Sequence, residues 1–316
     1  MRRGREGGGQ VSDVSSPLRM GTRRSLMATT QSGLVADRLT ALTGRPVELV
    51  GVTTFGDVSR ANLTQLGGTG VFVSALRDKL IDGEIDFAVH SLKDLPTTQD
   101  PRVTIAAIPP RDDPRDALVG TAKLADLPPG AKIGTGSPRR IAQLRLLRPD
   151  LEYIPIRGNA ETRIGKVTSG ELNGVVLAAA GLGRLGRESE ISQIFEVEEM
   201  LPAPGQGALA VECRSDRADL IEFLGVLDDA ATRAAVTAER AVLAALEAGC
   251  AAPVGAYSAH QGEQLILTAA VVAVDGSRAV RKSTAGDPSA SANLGRDLAS
   301  EMIAEGAGTL IGEQAH

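Results

Sequence analysis

The stretch from Asp86 to Pro96, Asp-Phe-Ala-Val-His-Ser-Leu-Lys-Asp-Leu-Pro, limits the choice of fold more than any other part of the chain. Phe87, Ala88 and Val89 form a short apolar run behind a helix-like segment, Val73 to Leu80, and read as a strand buried in an α/β layer. His90, Ser91, Lys93 and Asp94 follow at once, and Pro96 stops the run. Polar side chains at the tip of a buried strand lie at the carboxyl edge of the sheet, where open α/β folds bind ligands. On these residues alone Asp94 has two readings. It is an ion pair with Lys93 on a solvated turn, or a carboxylate in a cleft that exchanges a proton or stabilises a cation.

The pattern of strand followed by polar tip recurs on both sides of this stretch. Leu18 to Thr22 reads as a first strand, which passes through Arg23, Arg24 and Ser25 into a helix marked by Leu34, Val35, Leu39 and Leu42 and closed at Gly44. Pro46 to Val52 reads as a second strand, and strand-helix-strand with a crossover of helical length is the parallel unit of an α/β fold. Thr53 to Gly70 is polar and ends in Gly67, Gly68, Thr69 and Gly70; a loop of this length suits either a lid over the cleft or a surface excursion. Val103 to Ile108 is strand-like. The charged segment Arg111 to Asp116 then reads as a hinge into a second lobe.

Three strand-turn-helix units follow. Lys132 to Gly136 leads to Ser137, Pro138, Arg139 and Arg140, with Ser137 suited to the N-cap and Pro138 to the first helical position. A helix N-terminus carrying two arginines is a ready anion site. The strand Leu151 to Ile156 leads to Arg157 and a helix with Arg163, and Gly174 to Ala179 leads to Arg184. One such arginine is usually a solvated charge. Five of them, Arg139, Arg140, Arg157, Arg163 and Arg184, placed alike after successive strands point to a polyanionic ligand, because the guanidinium grips carboxylate or phosphate with paired donors.

Pro202 to Gly207 leads into the strand Ala208 to Glu212, which returns the chain to the first lobe, so two crossings join two lobes able to close on a ligand. Cys213, at the end of that strand, reads as a core thiol. Beyond it, Asp228 or Asp229 caps an alanine-rich helix ended by Gly249 as a left-handed cap. Cys250 follows on a tight loop, either accessible or a buried structural cysteine. The alternating run Gln264 to Val274 and a helical pattern from Leu294 to Leu310 complete a small α+β domain.

Composition excludes several classes of partner. With 2% aromatics, no tryptophan and a net charge of −5, the chain lacks the stacking platforms and basic balance of a nucleic-acid binder. Two cysteines form neither a disulfide framework nor a metal-ligand pattern, so no metal and a reduced, cytoplasmic setting are expected. No apolar run approaches the ~18 residues of a membrane span, and the Gly- and Arg-rich start, Met1 to Ser16, lacks a signal-peptide core and is expected to be disordered.

Taken together, the motifs resemble the porphobilinogen deaminase, or hydroxymethylbilane synthase, family. The resemblance rests on Ala88 to Pro96, Asp113 to Ala117, Gly134 to Arg140, Arg157-Gly158-Asn159 with Thr162-Arg163, Ala180 to Leu185, Gly205 to Ala208 and Glu247 to Cys250, in the family's order. It implies an α/β protein of three domains, two like the lobes of periplasmic binding proteins with a cleft between them, and a small α+β C-terminal domain. The expected boundaries are 17–110 with 203–222, then 111–202, then 223–316, after a tail of 1–16. It also implies a dipyrromethane cofactor in thioether linkage to Cys250, on which four porphobilinogens are deaminated and joined head to tail before hydrolysis releases hydroxymethylbilane.

By the same resemblance Asp94 is catalytic; Lys93, Ser137, Arg139, Arg140, Arg163 and Arg184 hold the cofactor; and Arg23, Ser25, Ser91, Arg157 and Gln206 hold substrate. A monomer with no macromolecular partner is expected. The chain departs from the family pattern at Arg24, Leu26, Phe55 and Thr69. Those departures keep open a second reading, a low-activity paralogue that binds pyrroles or another organic polyanion.

Overall fold

The computed structural model describes residues 16–53, 70–249 and 252–312. Strand β1 (Leu18–Arg23) feeds helix α1 (Leu26–Thr43), whose cap Ser25 accepts the Ala28 N–H through its Oγ at 3.3 Å. Gly44, at φ +72°, ends that helix, and its N–H donates to the Thr40 carbonyl at 2.8 Å. After β2 (Val47–Val52) come α2 (Gly70–Ile81), β3 (Phe87–Ser91) and β4 (Val103–Ala107). Phe87 and Val89 of β3 pack toward α1 with Met20, Val35 and Leu39, while Ala88 packs toward α2 with Leu76 and Leu80. Each large side chain buried in this way contributes about 1.5–3 kcal/mol, and burial on both faces is what the apolar run required.

The second lobe comprises β5 (Asp116–Gly120), β6 (Lys132–Gly134), α3 (Pro138–Leu147), β7 (Glu152–Ile154), α4 (Ala160–Thr168), β8 (Gly174–Ala178), α5 (Ala179–Arg184) and β9 (Gln193–Ile194). Strand β10 (Leu209–Arg214) then rejoins the first sheet. The two sheets have matching orders, β2-β1-β3-β10-β4 and β7-β6-β8-β5-β9. In each, the first three strands are parallel and the fourth is an antiparallel strand delivered by a crossing from the other lobe. The parallel strands of each sheet therefore end at one edge, and the crossings bring the two lobes together. This is the two-lobed α/β organisation the resemblance implied.

The crossings, 108–115 and 195–208, touch: the Asp112 N–H donates to the Gly207 carbonyl at 3.2 Å. Gly207 has φ +87°, and a Cβ there would come within 2.5 Å of the Asp112 carbonyl oxygen, so only glycine fits this close approach.

Helix α6 (Ala218–Leu224) packs on the first sheet, and α7 (Ala230–Ala245) begins the C-terminal domain with Asp229 as its N-cap. Strands β11 (Val254–Gln261), β12 (Gln264–Val272) and β13 (Ala279–Gly286) form an antiparallel sheet packed against α7, α8 (Ser291–Ala304) and α9 (Ala307–Gly312).

Three expectations need correction. Asp116, read as part of the hinge, opens β5. The final helical pattern is two helices, divided at Gly306 with φ +91°. The left-handed residue after α7 is Glu247, at φ +50°, and not Gly249. Among the described residues no helix is long and apolar enough to cross a membrane. The expected tail lies, except for Ser16, outside the described residues.

Candidate active site

Strand β3 ends at Ser91 and enters a 3₁₀ turn, Leu92–Asp94. Leu92 and Leu95 are buried anchors, and between them Lys93 is half-buried and Asp94 exposed. Ser91 Oγ donates to Gln31 Oε1 on α1 at 3.3 Å. His90 turns to the far side of the sheet: it is buried, with Nε2 3.3 Å from the Glu212 carboxylate, which Arg77 also grips at 2.7 Å. Of the four polar residues at the strand tip, His90 thus belongs to the core. Burial pulls the Lys93 ammonium down to about 8, against the attraction of Asp94.

In the second lobe Ser137 caps α3, its Oγ accepting the Arg140 N–H at 3.4 Å, with Pro138 in the first turn. The predicted anion site at this helix start is filled from within the protein. Asp116, fully buried, accepts from Arg139 Nη1 at 2.7 Å, from Arg140 Nε and Nη2 at 3.0 and 2.7 Å, and from Gln206 Nε2 at 2.8 Å. Gln206 Oε1 in turn accepts from Lys93 Nζ at 3.2 Å. A continuous polar network thus runs from Lys93 on the 3₁₀ turn, through the second crossing, to both helix-start arginines. Burial alone would raise the Asp116 carboxyl, but Arg139 and Arg140 together hold it well below the usual carboxylate range. Sequence reading gave Asp116 no role at the site. Its presence in the stretch Asp113 to Ala117 was the available signal.

The other expected residues surround this network unevenly. Arg157 is exposed after β7, and Arg163 is half-buried on α4, its Nε donating to the Gly158 carbonyl at 2.8 Å. Arg23 is half-buried at the end of β1, beside the α1 cap Ser25. Arg184 is drawn to the crossings instead, pairing with Asp112 at 2.7 Å and donating to the Gly207 carbonyl at 2.6 Å. Arg24 is exposed and Leu26 is 57% exposed. Cys213 sits in the core, where burial pushes its thiol up to about 11, as suits a core thiol. Cys250, Phe55 and Thr69 lie outside the described residues. A cavity of about 650 Å³ beside α5, lined by Asp112, Gly183, Glu188 and Gln193 among others, includes none of the network side chains.

The donor set fits a polycarboxylate. Burial lowers Arg163, and repulsion from Arg140 adds to the effect; Arg140 and Arg139 act on Lys93 in the same sense. Buried Arg139 Nε has no hydrogen-bond partner. Lys93 and Arg163, half-buried cations not neutralised by Asp116, are the ones that a ligand's carboxylates would relieve.

Comparison with known proteins decides the family. The model of the porphobilinogen deaminase, dipyrromethane cofactor binding domain matches residues 18–222, and that of the porphobilinogen deaminase, C-terminal domain matches residues 233–304. The chain belongs to the porphobilinogen deaminase family. It is 60% identical over 312 residues to porphobilinogen deaminase of Thermobifida fusca, covering 95% of this chain and 98% of that one. To porphobilinogen deaminase 1 of Streptomyces coelicolor it is 57% identical over 313 residues, covering 94% and 98%. Among solved structures, immunogenic lipoprotein A of Vibrio vulnificus aligns at 13% identity and TM-score 0.43, over 66% of this chain and 94% of that one. Membership of the porphobilinogen deaminase family supports the transferase reading over the low-activity paralogue.

Proposed function

We propose that this chain uses Asp94 as its catalytic carboxylate and Cys250 as the attachment point of the family's dipyrromethane. The enzyme is a transferase that deaminates porphobilinogen and joins the units head to tail, yielding linear hydroxymethylbilane after hydrolysis. When bound, the dipyrromethane supplies the free pyrrole carbon on which the chain grows. The observation that carries the site assignment is the network of Lys93, Gln206, Asp116, Arg139 and Arg140, which joins both lobes beside the exposed carboxylate of Asp94.

Porphobilinogen carries an acetate, a propionate and an aminomethyl group on one pyrrole. The aminomethyl group is an ammonium at neutral pH, so as the carbon–nitrogen bond breaks its electron pair leaves with neutral ammonia and the pyrrole becomes a delocalised cation. Asp94 accepts the pyrrole N–H and offsets that charge, and its work is greatest where charge is greatest, in the transition state. Lys93 and Arg163 serve the carboxylates nearer the cofactor, while Arg139 and Arg140, bonded to Asp116 and to the Leu201 and Val176 carbonyls, add positive charge beside them from the helix start that Ser137 caps. Arg157 and Arg23 take substrate carboxylates at the outer edge. Ser25 and Ser91 order α1 against this edge, Gln206 couples it to the crossing, and Arg184 steadies the crossing itself. A cytoplasmic setting is supported by two cysteines that form no disulfide framework in the sequence, and a monomer is the reading that the family resemblance carries.

Asp94→Asn keeps the size and loses the charge, so turnover should fall by at least ~100-fold while the purified protein keeps its primer mass. Undiminished turnover would return Asp94 to the role of a surface ion pair.

A further inference from the structure

Arg240 stands on α7 in the C-terminal domain, outside the network, yet it holds the turn that carries Lys93 and Asp94. Its Nη1 donates to the carbonyls of Leu92 at 3.1 Å and Leu95 at 3.0 Å, and its Nη2 to that of Pro96 at 2.7 Å. One helical turn earlier, Val236 is fully buried in the same cluster as Leu92 and Leu95. Within the first lobe the turn is held by Leu95 N–H to the Leu92 carbonyl at 3.1 Å and Leu92 N–H to the Ala208 carbonyl at 3.0 Å. A 3₁₀ turn this short leaves outward carbonyls that need donors. A planar guanidinium supplies several from one rigid group, which the single nitrogen of a lysine does not match.

Glu239, the preceding residue, serves the crossings. Its fully buried carboxylate accepts from Arg111 Nη1 at 2.6 Å, Gly205 N–H at 2.7 Å and Ser258 N–H at 2.9 Å. Adjacent residues of α7 therefore tie the C-terminal domain to both crossings and to the catalytic turn.

We infer that Arg240 is a positioning residue for catalysis: by holding the carbonyls of Leu92, Leu95 and Pro96, the domain that bears Cys250 sets the placement of Asp94. The inference rests on the reading of Asp94 as the catalytic carboxylate. Asp94 lies between two of the held carbonyls, so release of the turn shifts its carboxylate against the reacting pyrrole, and a misplacement near 1 Å costs on the order of 10²-fold in rate. The Nη1 and Nη2 bonds of Arg240 go to backbone carbonyls of the turn, so its loss should act on kcat and spare KM.

The test is a double-mutant cycle on purified holoenzyme whose primer is verified by intact mass. Arg240→Gln should lower kcat by about 30- to 100-fold with KM changed by less than about twofold. In an Asp94→Asn background the same change should cost less than about threefold, because the placement of a charge already removed no longer matters. Arg240→Lys, which reaches fewer carbonyls, should fall between wild type and Arg240→Gln. Wild-type kcat in Arg240→Gln, or an equal fold-loss in both backgrounds as a general structural role would give, overturns the inference. Wild-type kcat in Asp94→Asn alone overturns the reading beneath it, and that arm is seen separately. Should Arg240→Gln fail to fold, Arg240→Lys carries the same cycle.

Discussion

Asp116→Asn tests whether the buried network holds the two lobes' edges together. The substitution keeps shape but removes the charge that two buried guanidiniums share, and it leaves one acceptor oxygen where two now take bonds from Arg139, Arg140 and Gln206. Removing one partner of a buried pair costs about 3–5 kcal/mol, because the charge left behind stays desolvated. Adding each bond separately would count the same charges more than once, so that range is the appropriate one. Urea unfolding followed by circular dichroism should show a loss of this size in Asp116→Asn, with Arg140→Met non-additive in the same background. The pH dependence has a definite sign. The Asp116 carboxyl is held well below its ordinary value in the fold, so its contribution is complete above the unfolded carboxylate range and fades as pH falls toward the folded value. The variant should therefore lose less stability in acid than wild type. A loss below about 1 kcal/mol, the worth of a surface pair, would refute the argument.

Lys93 gives a pH signature of the same sign in an alkaline window. Its ammonium is near 8 in the fold against an ordinary 10.5, so the unfolded chain binds more protons between those values and stability should rise with pH across that window. Lys93→Met should flatten this rise in pH-dependent unfolding. Arg157, exposed at the outer edge, should matter for binding more than for folding. Arg157→Leu should leave the melting temperature within about 2 °C, raise KM and stall chain growth at an early length, seen as enzyme-bound intermediates in intact mass spectra.

The first lobe was legible because its strands are apolar runs ending in polar tips: β1, β2 and β3 were placed to within a residue or two. β5 was not, because its first residue is a carboxylate in a run of charges. What makes Asp116 a core residue is its arginine partners 23 and 24 positions away and Gln206 at 90, and no local pattern reports such distances. For the same reason Arg139 and Arg140 read as ligand donors while the carboxylate between them stayed hidden. β13, with its polar alternation and few buried side chains, offered no apolar face to read. Arg240 escaped notice because its bonds to the turn go to backbone carbonyls, which carry no signature in side-chain sequence. Cysteine roles were partly readable: Cys213 followed an apolar strand and proved buried, while nothing local decided Cys250.

Attachment of the growing chain to Cys250 is the central claim, and intact mass spectrometry of purified protein tests it most directly. Wild type and Cys213→Ser should both exceed the polypeptide mass by two linked pyrrole units, gain further units on exposure to porphobilinogen, and release product. Cys250→Ser should show the bare polypeptide mass before and after exposure. A pyrrole adduct that survived in Cys250→Ser, or vanished in Cys213→Ser, would contradict the account.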